Sequence, residues 1–409
     1  MVEDVKKVLA GFVGAIPSTY FGPDRITWMI ENFNSRLGEN EKKLLWAMMN
    51  KLLTQMIERE ASDIELGGHG TRGFVWLRIF GKKEPMKDMP PFSADEMAVI
   101  IINLLNENQR SYLTVTKNLD FSYTFRYERK GEDVRFRADA YFDLDCLALN
   151  MRAISANVRP IDSIGFHPAV LKALSHAYVK QGLCLITGIT GSGKSSTLDA
   201  IVDWHNGSDP AHVVIIAAPI EYVHKSKACI IRHREVGRDV LSFKDGVIQA
   251  LRQDPDIIVI GEMRDPDTIL AALEVTDTGH KVFSTLHTSS AVESIDRIIA
   301  EVHPSEQERV RNRLADVLVS VVSQKLIPSL DGKRVLAKEV LVVNASVRAA
   351  IKNNNTSEIY MMINQGGPAG MNTMEQDLKR LYMAKKISLE NAMAYSNNKQ
   401  RMQQILTAV

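Results

Sequence analysis

Residues 188–195 constrain the fold of this chain more than any other stretch, because they match the pattern G-x-x-x-x-G-K-[ST]. The apolar run 183–187 before them predicts a buried strand, and residues 196–202 after them predict the start of a helix. A glycine-rich turn between a strand and a helix directs backbone N–H groups and the helix N-terminus toward a phosphate chain. The pattern therefore predicts a nucleotide-binding site.

The residue types within the loop indicate what each position does. Glycines allow the backbone to turn without Cβ clashes. Lys194 can reach the β- and γ-phosphates of a nucleotide, and the Ser195 hydroxyl can ligate Mg²⁺. ATP and Mg²⁺ are therefore the expected cofactors. The predicted nucleotide contacts are Gly188, Thr190, Gly191, Ser192, Gly193, Lys194, Ser195 and Ser196.

Charge and cysteine usage narrow the classes of partner. Lys and Arg together number 50 and Asp and Glu 49, so no overall field attracts nucleic acid, and a nucleic-acid partner is not expected. The three cysteines form no C-x-x-C pair, which argues against a zinc site and suits a reducing cytoplasm. The longest apolar stretches, such as 97–105, are too short to span a bilayer. We therefore expect a cytoplasmic protein whose membrane association is peripheral and made through partners.

The order of patterns along the chain predicts a mixed α/β protein with five regions. Short alternating runs at 61–66, 74–80, 121–125 and 135–142 predict strands, and Ser93 with Glu96 predicts a helix start among them. Later strands at 183–187, 213–217, 257–260 and 281–285 alternate with helical patterns, which favours a parallel sheet. The regions are a helical extension (1–58), a smaller α+β domain (59–156), a linker (157–168), an ATPase core (169–340) and a helical C-terminal region (341–409).

Acidic residues and histidines follow or bracket the predicted strands of the core. Glu262 ends the strand 257–260, where a nucleotide hydrolase needs a carboxylate to hold Mg²⁺ or to orient water. Gly261 stands where many such enzymes have Asp. Glu221 is a second carboxylate candidate, so two acids could divide these tasks. His280 and His287 bracket the strand 281–285, and a histidine there could hydrogen-bond the γ-phosphate or be only a structural residue.

Taken in order, these motifs resemble the PilT-type branch of secretion ATPases. That branch includes pilus-retraction motors and the DotB-like and TraJ-like ATPases of type IV secretion and conjugation. The resemblance covers roughly residues 60 to 405. The blocks that carry it are 61–64, 119–123, 135–137, 234–239, 250–256, 261–265, 278–280, 283–288, 295–299 and 370–376.

The resemblance implies a RecA-like P-loop core, a PAS-like N-terminal domain and a homohexameric ring with ATP between the two domains of a subunit. It also implies that Glu262 is the Walker B glutamate and that Glu221 is the catalytic glutamate. His280 and His287 would belong to the histidine motif of the family. Arginines from a neighbouring subunit would complete the site, and the candidates are Arg135, Arg137 and Arg152.

Three departures from the family pattern modify this expectation. Ala217 and Ala218 stand where relatives usually carry acidic residues, and 143–145 reads Asp-Leu-Asp where relatives often have Gln-Arg. Residues 347–352 match the C-terminal motif of the retraction motors only in part. With the long N-terminal extension, these departures favour the secretion and conjugation relatives.

We therefore predict an ATPase that couples hydrolysis to domain motion in a ring docked on an inner-membrane secretion, conjugation or type IV pilus machine. Two alternatives stay open at this point. One is a nucleotide-gated scaffold that binds ATP but scarcely hydrolyses it, which Ala217 and Ala218 motivate. The other is a DNA-translocating motor, against which the balanced charge argues.

Overall fold

A computed structural model describes residues 1–127, 129, 131–154 and 157–407 of the chain. The chain divides into two compact units. The N-terminal unit comprises Met1–Ala156 with Ala218–Tyr222, and the C-terminal unit comprises Asn157–Ala217 with Val223–Val409. The predicted boundary at 156 and the last two residues of the predicted C-terminal region lie outside the described residues. The five-region division stays a prediction.

The N-terminal unit is a six-stranded antiparallel sheet with helices packed against it. The sheet order is β3-β2-β1-β6-β5-β4. Ser93 and Glu96 form the predicted capping box at the start of α4. The elements are α1 (Val2–Gly14), α2 (Gly22–Arg36), α3 (Glu39–Glu58), β1 (Ala61–Gly67), β2 (Trp76–Ile79), β3 (Lys82–Pro85), α4 (Ala94–Leu104), α5 (Glu107–Thr116), β4 (Asn118–Tyr127), β5 (Glu132–Asp143) and β6 (Cys146–Ala153).

The core of this unit lies between the sheet and its helices. Buried Leu and Met side chains of α3 meet the Ile and Val side chains of α4 and alternate residues of the strands. The opposite face of the central strands carries charged residues, among them Arg137 and Arg152, which lie directly opposite one another on β5 and β6. Burying one face and leaving the other charged is the usual solution for an antiparallel sheet.

The C-terminal unit is a seven-stranded sheet of order β13-β12-β7-β11-β10-β8-β9, parallel except for the β12–β13 pair. The four strands predicted for the core are present as β7, β8, β10 and β11. The elements are α6 (Pro168–Leu174), β7 (Gly182–Thr187), α7 (Lys194–Ser208), β8 (His212–Ala217), β9 (Ile230–Glu235), α8 (Phe243–Ala250), β10 (Ile257–Ile260), α9 (Pro266–Asp277), β11 (Lys281–Leu286), α10 (Ala291–Glu301), α11 (Gln307–Val317), β12 (Leu318–Pro328), β13 (Arg334–Val342), α12 (Ala345–Lys352), α13 (Ile359–Gln365), α14 (Met374–Met383), α15 (Leu389–Tyr395) and α16 (Lys399–Thr407).

The parallel register brings the functional loops to one edge of this sheet. Thr187 at the end of β7 pairs with Leu286 at the end of β11, and Ile260 at the end of β10 pairs with Ser284 and Ile216. The carboxyl ends of these strands therefore meet, as is usual for ligand sites in parallel sheets. No helix within the described residues has the length and apolar composition needed to cross a membrane.

Candidate nucleotide-binding site

The loop between β7 and α7 has a backbone that only glycine tolerates at key positions. Gly188 has a φ of +148°, and a Cβ there would lie 2.5 Å from the carbonyl oxygen of Gln324. Gly193 has a φ of +88° and precedes the first residue of α7. These conformations let successive backbone N–H groups turn into the loop. The loop therefore has the backbone shape that phosphate binding requires.

Lys194 begins α7 and folds back over the loop. Its Nζ donates to the carbonyl oxygens of Gly188, at 2.8 Å, and Ile189, at 3.2 Å. Ser195 lies exposed in the first turn of the helix. A lysine ammonium, a hydroxyl and the N-terminus of a 15-residue helix thus lie within one turn of chain. Thr190 and Ser196 are also exposed here, and Ser192 is buried.

Glu262 lies two residues after the end of β10 and has two basic neighbours. Its Oε2 is 2.6 Å from Nε of Arg264 and 3.5 Å from Nε2 of His287. Burial and the charge of Lys194 lower the pKa of His287, and these effects outweigh the attraction of Glu262. His287 therefore tends to be neutral, able to accept or donate a hydrogen bond. Arg264 was not predicted as a site residue, although it lies two positions after Glu262 in a recognised block.

Gly261 and Ala217, which both depart from the usual sequence pattern, pack against each other. The Gly261 N–H donates to the carbonyl of Ile216, and a Cβ on Gly261 would lie 3.1 Å from the Cβ of Ala217. Because β8 and β10 are neighbours, a larger residue at 261 would press on Ala217. The missing aspartate at 261 and the small residue at 217 are therefore mutually compatible.

His280 lies at the opposite edge of the sheet from the phosphate loop. It precedes β11, and its Nδ1 lies 3.0 Å from Oγ1 of Thr278 and 3.2 Å from the carbonyl of Val275. His280 is six residues before Leu286, where β11 reaches the edge of the sheet with the phosphate loop, which places it about 20 Å from that edge. The fold therefore brings His287 to Lys194 and Glu262 but leaves His280 apart, and a catalytic role for His280 stays a prediction.

The remaining predicted residues group together in the N-terminal unit. Glu221 belongs to the segment Ala218–Tyr222, and its Oε1 lies 3.7 Å from Nη1 of Arg137. Nη2 of Arg135 donates to the carbonyl of Ile220 at 2.9 Å. Arg152 instead pairs with buried Asp63, with 2.8 Å between Nε and Oδ1. Two of the three candidate arginines therefore contact the segment that carries Glu221.

Comparisons with known proteins identify the family of the chain. A family model described as "Type II/IV secretion system protein" matches residues 39–408. The chain is 40% identical over 345 residues to PilT of Pseudomonas aeruginosa, described as a type IV pilus retraction ATPase, with 84% of this chain and 96% of that protein covered. It is also 36% identical over 327 residues to a twitching motility protein of Neisseria gonorrhoeae, covering 80% of this chain and 85% of that protein.

Two solved structures of ATPases resemble this chain over most of its length. The pilus retraction motor PilT with bound ADP superimposes with a TM-score of 0.76 at 36% identity, covering 87% of this chain and 98% of that one. The ATPase DotB of Legionella pneumophila superimposes with a TM-score of 0.65 at 26% identity, covering 89% and 96%. The predicted RecA-like core with a smaller N-terminal domain is confirmed by these matches.

Proposed function

We propose that this chain, which belongs to the Type II/IV secretion system protein family, hydrolyses ATP at the loop around Lys194 to drive a type IV pilus or type IV secretion machine. The predicted resemblance to PilT-type ATPases is confirmed, and the chain is a motor ATPase of this family. The observation that carries the assignment of the site is the common sheet edge that holds Lys194, Glu262 and His287.

Each of these residues has a distinct task in this proposal. Lys194 and the N-terminus of α7 neutralise the charge of the β- and γ-phosphates. Ser195 and Glu262 would hold Mg²⁺, since a hard cation prefers oxygen ligands and both side chains present oxygen at this edge. The ion would supply additional positive charge where negative charge develops during phosphoryl transfer.

Two carboxylates compete for the task of orienting the attacking water. Glu262 lies beside Arg264 and His287, which hold its carboxylate in one place. Glu221 lies beside Arg137 in the N-terminal unit. We assign water positioning to one of the two, and Glu262→Gln and Glu221→Gln compared at saturating ATP identify which one.

The charged face of the N-terminal sheet is the proposed surface that completes a neighbouring subunit's site. Arg137 and Arg152 lie opposite one another on it, and Arg135 lies two residues from Arg137. Arginines supplied in trans stabilise the transition state in many P-loop enzymes. We therefore propose a homohexamer that acts in the cytoplasm at the inner membrane, attached through machinery proteins, with residues 157–168 as the hinge that transmits motion.

Steady-state ATP hydrolysis by the purified protein tests this function. Lys194→Ala and Glu262→Gln should each lower kcat/KM by about two orders of magnitude or more. Lys180→Ala and Glu274→Gln, which change exposed residues of the same unit, serve as matched controls and should leave it unchanged. Undiminished activity in both site variants would refute the proposal. Tight ATP binding by the wild type without phosphate release, even when it is assembled, would identify a scaffold instead.

A further inference from the structure

Strand β12 passes directly beside the phosphate loop and places the amide of Gln324 against it. Gln324 is 1% exposed, and its Nε2 donates to the carbonyl oxygen of Ser192 at 3.0 Å. A Cβ on Gly193 would lie 3.4 Å from the same Nε2, and one on Gly188 would lie 2.5 Å from the Gln324 carbonyl oxygen. Gln324 is therefore in contact with both ends of the loop. No motif singled it out, because it lies 132 residues after Ser192.

The hydrogen bond to Ser192 determines where the next N–H points. In a trans peptide the C=O and the following N–H lie in one plane and point in opposite directions. Holding the Ser192 carbonyl toward β12 therefore aims the Gly193 N–H away from β12. Gly193 is the N-cap of α7, so this N–H belongs to the set that a phosphate accepts at a helix N-terminus.

Two polar atoms at this contact are buried without a hydrogen-bond partner among the described residues. They are the Oε1 of Gln324 and the Oγ of Ser192. Buried polar groups are almost always satisfied, and exceptions cluster where function requires them. One atom is an acceptor and the other a hydroxyl that can donate, and their residues already share a hydrogen bond. Both unpartnered atoms therefore belong to the two residues that join β12 to the loop.

β12 is held beside β7 by contacts other than the Gln324 side chain. β12 pairs with β7 through the backbone, from Leu318 to Ser323. The hydroxyls of Thr187 and Ser323 also lie 2.7 Å apart, directly before the loop. The strand is thus anchored by its ladder and by a neighbouring side-chain bond, to which the Gln324 amide adds a contact with the loop.

We propose that Gln324 is a positioning residue for nucleotide binding, which acts through Ser192 to align the loop N–H groups with the β- and γ-phosphates. This inference rests on the proposed function, because it assigns a task within the same nucleotide site. The loop binds the diphosphate portion of both substrate and product. Loss of alignment therefore weakens ATP and ADP alike, which raises KM more than it lowers kcat.

Gln324→Met tests this, because it keeps the size of the side chain and removes its donor. The KM for ATP and the Kd for ADP should each rise about tenfold, which corresponds to ~1.4 kcal/mol, while kcat falls less than about threefold. Ser320→Ala is the matched control, since Ser320 is a buried residue of the same strand. It should leave KM and Kd unchanged, and both variants should melt within about 3 °C of the wild type.

A second variant keeps the test decisive if methionine disturbs folding. Gln324→Leu has a side chain of similar size with neither a donor nor an acceptor, so it cannot hydrogen-bond Ser192 whatever the pH. It should weaken ADP binding about as much as Gln324→Met, because both variants lose the same donor. Wild-type values of KM and ADP affinity in these variants, or a loss confined to kcat, would overturn the inference while the wild-type enzyme stays active. A wild-type protein that binds no nucleotide would instead refute the proposed function.

Discussion

A buried glutamate makes the stability of the C-terminal unit depend on pH. Glu339 lies on β13, is 2% exposed, and its Oε1 accepts from the backbone N–H of Ala291 at 2.8 Å. Burial raises the pKa of Glu339 from 4.5 to about 7, and the charge of Glu375 adds to this, whereas Lys325 and backbone N–H groups act in the opposite direction. The folded protein therefore holds the Glu339 proton to a higher pH than the unfolded chain does.

The raised pKa of Glu339 determines both the sign and the size of the change in the free energy of unfolding with pH. Between the two pKa values the unfolded chain has released the proton while the folded protein retains it, so the free energy of unfolding falls as pH rises. With pKa values of 4.5 unfolded and about 7 folded, the loss between about pH 5 and about pH 8 is about 2.5 kcal/mol. It should level off above about pH 8, where both states are ionised.

The measurement is the free energy of unfolding by denaturant, taken every half pH unit over this range for the wild type and for Glu339→Gln. The difference between the two free energies should change by about 2.5 kcal/mol in favour of the variant as pH rises, whatever constant offset the substitution introduces. Glu308→Gln, which changes an exposed residue of α11, should show no such change and is the control. A difference that stays constant within about 0.5 kcal/mol across the range would refute the reasoning.

Three further predictions test other parts of the structure. Lys281 is fully buried, and its Nζ donates to three backbone carbonyls. Lys281→Met should therefore lower the free energy of unfolding, measured with a chemical denaturant, by about 3 kcal/mol. A loss below about 0.5 kcal/mol would contradict this. Gly188→Ala should abolish nucleotide binding and lower the free energy of unfolding by at least about 2 kcal/mol, because the alanine Cβ would meet the carbonyl of Gln324. ADP binding at wild-type affinity would contradict this prediction. Arg137→Ala should lower kcat about 100-fold or more, because Arg137 lies beside Glu221. Arg152→Ala removes a partner of the buried Asp63, so it should mainly lower the free energy of unfolding, by up to about 1 kcal/mol. An equal loss of kcat in both variants would contradict this distinction.

Much of the fold could be predicted because it is encoded locally. The strand, loop and helix around Lys194 follow from residue type and periodicity over some 20 residues, and the capping box at Ser93 was correctly predicted as a helix start. The strand β9 and the β12–β13 pair were not predicted. β12 follows helical sequence without a turn signal, and its neighbour β7 in the sheet lies more than 130 residues earlier in the chain.

The sequence alone determined the family to which the order of motifs belongs, and it indicated the groups of the candidate site: a lysine and a hydroxyl on a glycine loop, and a carboxylate after a buried strand. The tertiary structure decided which of these groups meet. It brought His287 to Glu262, left His280 at the far edge of the sheet, paired Gly261 with Ala217, and set Gln324 against the loop. Residue type and spacing act over a few turns of chain, whereas strand order and register, which no local pattern contains, determine distances between segments far apart in sequence.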